Sequence, residues 1–277
     1  MGIIDFILNL AGLLLWLNWR SIRFDPLGKR TPATLIGTLR RAEPQRLRRW
    51  HLLAALGGLL LLRAVFYWQI GPGVGWAAGK LDLGATTLFF RSDSFGRILL
   101  FSISSFGLTL AIFYLWLLLL SILDGPEPFH RLVRMQLGPI DRWSRGIKLI
   151  LPFGLTVCLW WLASWPLTWL AIMPQPVSAA HRVEESLVIG LGCYLAWKYV
   201  AVALLVLHLL NSYIYFGRHP FWRYITAEAQ TLLRPLRAVP LQVGKADFTP
   251  IVGMVLVFLL AEFGERGLAA LYLRLPF

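Results

Sequence analysis

Residues 98–123 read ILLFSISSFGLTLAIFYLWLLLLSIL, a run without a single charged side chain. At 1.5 Å per residue such a run forms a helix longer than the ~30 Å hydrocarbon core of a bilayer. Its stretch Leu115 to Leu120 is almost pure leucine around Trp116. A helix that is apolar all round belongs in lipid or deep inside a large core. Similar stretches cover 52–76, 149–173, 186–216 and 250–275, with a shorter one at 3–19. The composition agrees, because 57% of residues are hydrophobic and only 15% charged, against roughly a quarter charged in soluble domains. The chain is therefore expected to be an all-α, multi-pass helical membrane protein with about six spans, or five if 3–19 lies at the interface. Asp5, Asn9 and Asn18 leave that alternative open. Segment 3–19 has no basic n-region and no small-residue cleavage site after Leu13–Leu17, so it is not expected to be a removable signal. Phe6 breaks the myristoylation pattern.

The net charge of +13 is distributed by loop. Of 27 Lys and Arg, nine lie in 20–49, five in 124–148 and five in 217–247, while the alternate loops 77–97 and 176–185 hold three and one. Cytoplasmic loops keep Lys and Arg and translocated loops shed them. The alternation predicts three basic cytoplasmic loops, both termini outside, and contact with anionic headgroups rather than nucleic acid. Cys158 and Cys193 lie inside apolar stretches, without metal-ligand spacing, and are expected to be buried and structural. Trp161, Trp165 and Trp169 recur on one helix face and read as a lipid-facing or packing stripe.

Two blocks share a plan. The first holds Gly125-Pro126-Glu127-Pro128-Phe129-His130-Arg131, then Leu137-Gly138-Pro139-Ile140-Asp141-Arg142, and re-enters the membrane at Leu151-Pro152-Phe153. The second holds Gly217-Arg218-His219-Pro220-Phe221-Trp222-Arg223, then Leu233-Arg234-Pro235-Leu236-Arg237, and re-enters at Thr249-Pro250-Ile251. Glycine ends a helix and proline starts the next segment without needing its N–H. Phe221, Trp222, Ile225, Leu232, Leu233 and Leu236 on one face, with Arg223, Arg234 and Arg237 on the other, suit a helix lying in the headgroup boundary. Those arginines would then meet lipid phosphates or an acidic partner surface.

In the second block, Pro220-Phe221-x-Arg223, Tyr224-Ile225-Thr226, Leu232-Leu233-Arg234-Pro235-Leu236-Arg237, Pro240 and Asp247-Phe248-Thr249-Pro250 carry a resemblance to the YggT family of small multi-pass membrane proteins. It covers about 219–260. Residues 115–155 resemble a degenerate copy without the Asp-x-Ser/Thr-Pro end, and 1–97 fall outside it. Thr226 is followed by Ala-Glu-Ala rather than Glu-Pro, and Arg237 lacks a second arginine after it. The resemblance implies a bacterial inner-membrane or plastid-type protein linked to osmotic or ion homeostasis, to division and nucleoid organisation, or to cytochrome maturation. It divides the chain into an N-terminal membrane unit (1–97), a first YggT-like hairpin (98–175) and a second (176–277).

Ionisable residues inside spans are costly and are functional candidates by default. Arg63, Lys198, Glu262 and Arg266 qualify, with Glu265 near the exit, and Glu262 and Arg266 are spaced to pair along one helix. They read as a brace between helices or as snorkelling cations; an ion or proton path and a partner-subunit contact are the alternatives. His208 is the one intramembrane histidine, too little for a haem with two protein ligands. No Ser-His-Asp set, phosphate loop, G-x-G-x-x-G or H-E-x-x-H is present. The expectation is a non-catalytic scaffold or accessory subunit without a cofactor, partnered by membrane proteins or by further copies of itself. A small ion transporter or channel component and a haem-assembly factor are the alternatives.

Overall fold

A computed structural model describes residues 2–21, 49–71, 79–123, 129–176, 178–214, 219–238, 241–243 and 246–274. The expected basic connector 20–49 lies mostly outside them, as do 124–128 and 215–218. The chain is an all-α, multi-pass helical membrane protein. Its helices are α1 (Ile3–Ser21), α2 (Arg49–Ile70), α3 (Phe95–Ile122), α4 (Phe129–Leu137), α5 (Arg145–Trp169), α6 (Ala179–Gly192), α7 (Trp197–Tyr213), α8 (Pro220–Leu232) and α9 (Thr249–Arg274). Strands β1 (Gly79–Asp82) and β2 (Thr87–Phe90) form one small sheet, and β3 (Gln242–Val243) and β4 (Ala246–Asp247) another.

Among the described residues, five helical runs have the length and apolarity of a span: Ile3–Arg20, Trp50–Ile70, Phe95–Ile122, Arg145–Trp169 and Ala179–Tyr213. Segment 3–19 is thus among them. The run that differs from expectation is α9, whose 26 residues include Glu262, Glu265 and Arg266. Its packing supplies what its composition does not. Along α9, Met254 and Val257 pack on the Leu205 cluster, Glu265 meets Lys198, and Tyr272 meets Glu185. These partners run backwards down α7 and α6, so α9 lies antiparallel to the run 179–213 and traverses the same thickness.

The chain divides into two compact units, residues 1–80 with 89–110, and residues 81–88 with 111–277. In the first, α1 packs on α2 and on the N-terminal part of α3. Gly12 permits the close approach, since a Cβ there would stand 2.9 Å from the Phe106 ring. Ser102 Oγ donates to the Leu60 carbonyl at 2.9 Å, which ties α3 to α2.

In the second unit α5 and α6 form a tight helical pair, and α7 packs on both α8 and α9. The expected span 186–216 begins earlier, at Ala179, and is interrupted by a 3-10 turn at Cys193–Ala196. A 3-10 turn leaves carbonyls without their i+4 partners. Here Trp116 Nε1 donates to the Ala196 carbonyl at 2.9 Å and Trp197 Nε1 to the Leu115 carbonyl at 3.3 Å. Tyr194 OH donates to the Leu149 carbonyl on α5. The interruption is therefore held from α3 and from α5. The two repeat blocks adopt the same succession. α3 leads to α4, a 3-10 turn (Gly138–Arg142) and α5; α7 leads to α8, a 3-10 turn (Arg234–Ala238), the β3–β4 hairpin and α9. Gly138 has φ +64°, the left-handed conformation that stops α4 before Pro139.

Ser144 immediately precedes α5 and Ser178 caps the start of α6, with the 25 residues of α5 between them. In a chain whose native cysteines are replaced, Ser144→Cys and Ser178→Cys should react with an impermeant thiol reagent from opposite faces of the membrane. Reaction of both from one face would remove α5 from the set of spans.

Candidate functional site

Arg63 lies in the third quarter of α2 and is 3% exposed. A guanidinium there must find its partners in protein, because lipid offers none. Its Nη2 donates to Asp5 Oδ1 at 2.6 Å and to Ser105 Oγ at 3.2 Å, and its Nη1 donates to Asn9 Oδ1 at 2.9 Å. Asn9 Nδ2 donates to Ser105 Oγ at 3.0 Å, and Tyr67 OH donates to Asp5 Oδ1 at 2.7 Å. The Phe101 ring lies 4.9 Å from the guanidinium carbon, a cation–π contact. Asp5 and Asn9, the residues that left the status of α1 open, are one turn apart on the face that receives Arg63. Their polarity is spent inside the unit.

Lys198 forms the second cross-helix pair, its Nζ donating to Glu265 Oε2 at 3.1 Å. Here the expected grouping needs correction. Glu262 does not brace two helices. As its spacing predicts, it instead accepts from Arg266 Nε at 2.8 Å within α9, and both side chains are exposed. Glu265, one turn-fraction away around the helix, is the residue turned towards α7.

Among the described residues, three buried charges escaped sequence reading. Lys148 is 5% exposed and donates to Ser121 Oγ at 2.6 Å and to Asp141 Oδ1 at 3.2 Å. Ser121 Oγ donates to the same Asp141 oxygen at 2.6 Å, and Arg134 Nε stands 3.3 Å from the other. Ser121 and Lys148 thus share one carboxylate, which ties the end of α3 to the head of α5. Glu185 accepts from Tyr272 OH at 3.0 Å. Glu228, 1% exposed, lies beside the Tyr224 phenol, which burial and that carboxylate push above its ordinary range. The signals were present in part. Lys148 stands at the start of an apolar run, and Glu228 is flanked by Ala227 and Ala229. Which face each would take is decided by packing.

The amphipathic segment α8 also needs correction. Its apolar face does not lie against lipid headgroups. Tyr224 and Ile225 are buried with Leu119, Leu123, Val200 and Leu204, and Phe221 and Leu232 pack on that cluster. Ala229 and Leu233 are buried with Leu205, with Leu236 packed against them. Asn211 Nδ2 on α7 adds a hydrogen bond to Thr226 Oγ1 at 3.2 Å. Trp222 is half-buried, and Arg223 and Arg234 point outward, exposed. The side chain of Arg237 lies outside the described residues. α4 is placed likewise, with Val133 and Leu137 buried against Leu118 and Arg134 exposed, and α4 touches α8. Downstream, Asp247 Oδ1 accepts from the Thr249 N–H at 2.9 Å and caps the entry to α9. Hydrogen bonds from Thr249 hold the Asp247 carboxyl below its ordinary range. That is the physical role of the Asp-Phe-Thr-Pro sequence.

Cys158 is exposed on α5 and Cys193 is half-buried, so neither takes the buried position expected. Trp161, Trp165 and Trp169 are all exposed, and Arg182 lies over the Trp165 ring at 4.4 Å. His208 is half-buried on α7. Among the described residues no three His, Cys, Asp or Glu side chains converge as a metal site. No protein-family model, curated protein or solved structure matches this chain.

Removing one member of a buried ion pair leaves the other unpaired, at a cost of about 3–5 kcal/mol. Arg63→Ala should therefore lower the melting temperature of the purified protein sharply. The double change Arg63→Met with Asp5→Leu should recover much of the loss. Equal stability of Arg63→Ala and the parent would show that the network contributes nothing to the fold.

Proposed function

We propose that this chain is a non-catalytic integral membrane scaffold or accessory subunit of the YggT type, resident in a bacterial inner membrane. Its basic loops 20–49, 124–148 and 217–247 face the cytoplasm in this reading. α8 is the docking element. One observation carries it: the apolar face of α8 is consumed by the bundle, leaving Arg223 on the helix and Arg234 in the 3-10 turn after it outward, on a segment that cannot turn or leave without exposing Ile225, Ala229 and Leu233. A fixed row of cations suits an acidic protein surface or anionic headgroups, with about 1 kcal/mol per basic side chain near such a surface. The positions of α4 and α8 support a common side for two of the basic loops, since the two helices touch. The charges inside the spans support a non-catalytic role, because Arg63, Lys148 and Lys198 each spend donors on a carboxylate of another segment.

A second reading, a small ion transporter component, rests on the 3-10 turn 193–196 beside the Lys198–Glu265 pair. Mid-helix 3-10 turns often mark hinges. Flux in proteoliposomes that Glu265→Gln abolishes at unchanged abundance would favour it.

Changing Arg223, Arg234 and Arg237 together to Gln should leave abundance and topology intact. It should also remove co-purifying partners and complementation, with the parent's association weakening as salt is raised. Parent-like behaviour on both counts would reduce these arginines to setting topology.

A further inference from the structure

Arg182, near the start of α6, is a cation that the chain itself does not answer. Its guanidinium carbon lies 4.4 Å from the centre of the Trp165 ring on α5. Its Nε is shielded without a hydrogen-bond partner, and among the described residues no carboxylate pairs with it. Glu185 is within electrostatic reach, but its carboxylate accepts from Tyr272 on α9. Glu184 projects about 200° further round the helix. Arg63, Lys148 and Lys198 each meet a carboxylate; Arg182 meets an aromatic face instead. Trp161 contacts Trp165 edge-on at 6.4 Å and steadies that face. Apolar side chains continue from this point along both helices. On α6, Val183, Leu187 and Leu191 recur every fourth position, all exposed. On α5, Trp165, Trp161 and Cys158 are exposed and share a stripe about 60° wide. The strip on α6 runs about 12 Å, close to the ~15 Å of hydrocarbon in one leaflet. α5 finishes at Trp169 and α6 begins at Ala179, so the charge stands near a membrane face and the strip runs inward from it.

We propose that Arg182 and Trp165 hold the phosphodiester of one glycerophospholipid, whose acyl chains lie on the strip beneath. Charge complementarity commits the surface to this occupant. An ionised phosphodiester at one end of two hydrocarbon tails repeats the order of polarity of a guanidinium at one end of an apolar strip. The cation–π contact uses the charge of the guanidinium and none of its N–H donors, which stay available for phosphate oxygens. Every phospholipid brings its phosphate to this depth, whereas a helix of another protein would have to bring a carboxylate there. An arginine that merely snorkels reaches whichever headgroup passes. Here the ring fixes the guanidinium, so one lipid is held in one place. In the topology proposed above, that lipid belongs to the non-cytoplasmic leaflet. The site needs α5 and α6 to cross the membrane and nothing of the role proposed for α8, so either can fail without the other.

Native mass spectrometry of the full-length protein, delipidated in detergent and titrated with synthetic phosphatidylglycerol, tests it by resolving each bound lipid. R182Q is expected to bind the first lipid at least about tenfold more weakly than the parent, because a hydrogen-bonded charge is lost. W165L, a change at an exposed position, should weaken it too, and R182K should fall between, with the charge kept and the planar fork lost. R91Q removes an exposed arginine of the other weakly basic loop and should bind as the parent does, which separates a site from general attraction. The parent alone supplies a measurement that depends on no variant folding. Diacylglycerol, with the tails and no phosphate, should bind at least about tenfold more weakly than phosphatidylglycerol, and glycerophosphate, the head without tails, should not displace the lipid. Equal binding by the parent, R182Q and W165L would overturn the proposal, as would equal binding of the two lipids by the parent. Displacement by glycerophosphate would overturn it in favour of a free anion. A photoreactive side chain placed at Leu187 that cross-links in native membranes to a protein, and not to lipid, would overturn it in favour of a partner helix.

Discussion

Hydrocarbon supplies no hydrogen bonds, so each charge that enters it must be answered by the chain, and the arrangement of this protein follows from how that is done. Arg63 is answered by Asp5 and Asn9 on α1 and Ser105 on α3. α1 is thereby bound through its polar residues, with its apolar ones left outward: Ile3, Phe6, Ile7, Leu10 and Leu14 are all exposed. That inverts the pattern of a water-soluble helix, as lipid as solvent requires. Lys198 is answered by Glu265, which fixes the rotation of α9 and turns Glu262 and Arg266 outward. A single cross-helix pair thus decides what the far side of the same helix presents.

The repeat blocks show one plan closed in two ways. In the first, Gly138 stops α4 and Asp141 in the following turn captures Lys148 at the head of α5. In the second, no such lysine follows, and Asp247 instead caps α9 through the Thr249 N–H. Both devices anchor the return helix to the segment before it with an aspartate, one by an ion pair and the other by a backbone hydrogen bond. The amphipathic helices then face inward, because the ends of α3 and α7 expose leucines and valines that a short helix can cover. A helix covering such a surface keeps only its polar edge for other molecules.

The interruption of the run 179–213 has a matching cause. Gly192 precedes the 3-10 turn, and the carbonyl set free at Ala196 is taken by the indole of Trp116. Trp197 repays the contact to the Leu115 carbonyl. Trp116 and Trp197 here act as donors between helices, whereas the stripe Trp161, Trp165 and Trp169 remains exposed.

The number and approximate limits of the apolar helices, the alternation of basic loops and the doubled loop plan were legible in the sequence. Each depends on residues close together in the chain, through span length, charge per loop and the turn chemistry of glycine and proline. Rotation was not legible. Glu262 and Glu265 are both plausible braces in the sequence, and about 60° of helical phase separates the one that meets Lys198 from the one left outside. The burial of Glu228 and Lys148 was hidden for the same reason, since a charged residue near an apolar run looks solvated until a neighbouring helix covers it. The apolar face of α8 could be read, but whether lipid or α7 would cover it could not, because both are equally apolar partners. The sequence by itself determined that these helices enter a membrane; the tertiary structure alone decided which polar atoms meet, because that choice is set by distances between segments far apart in the chain.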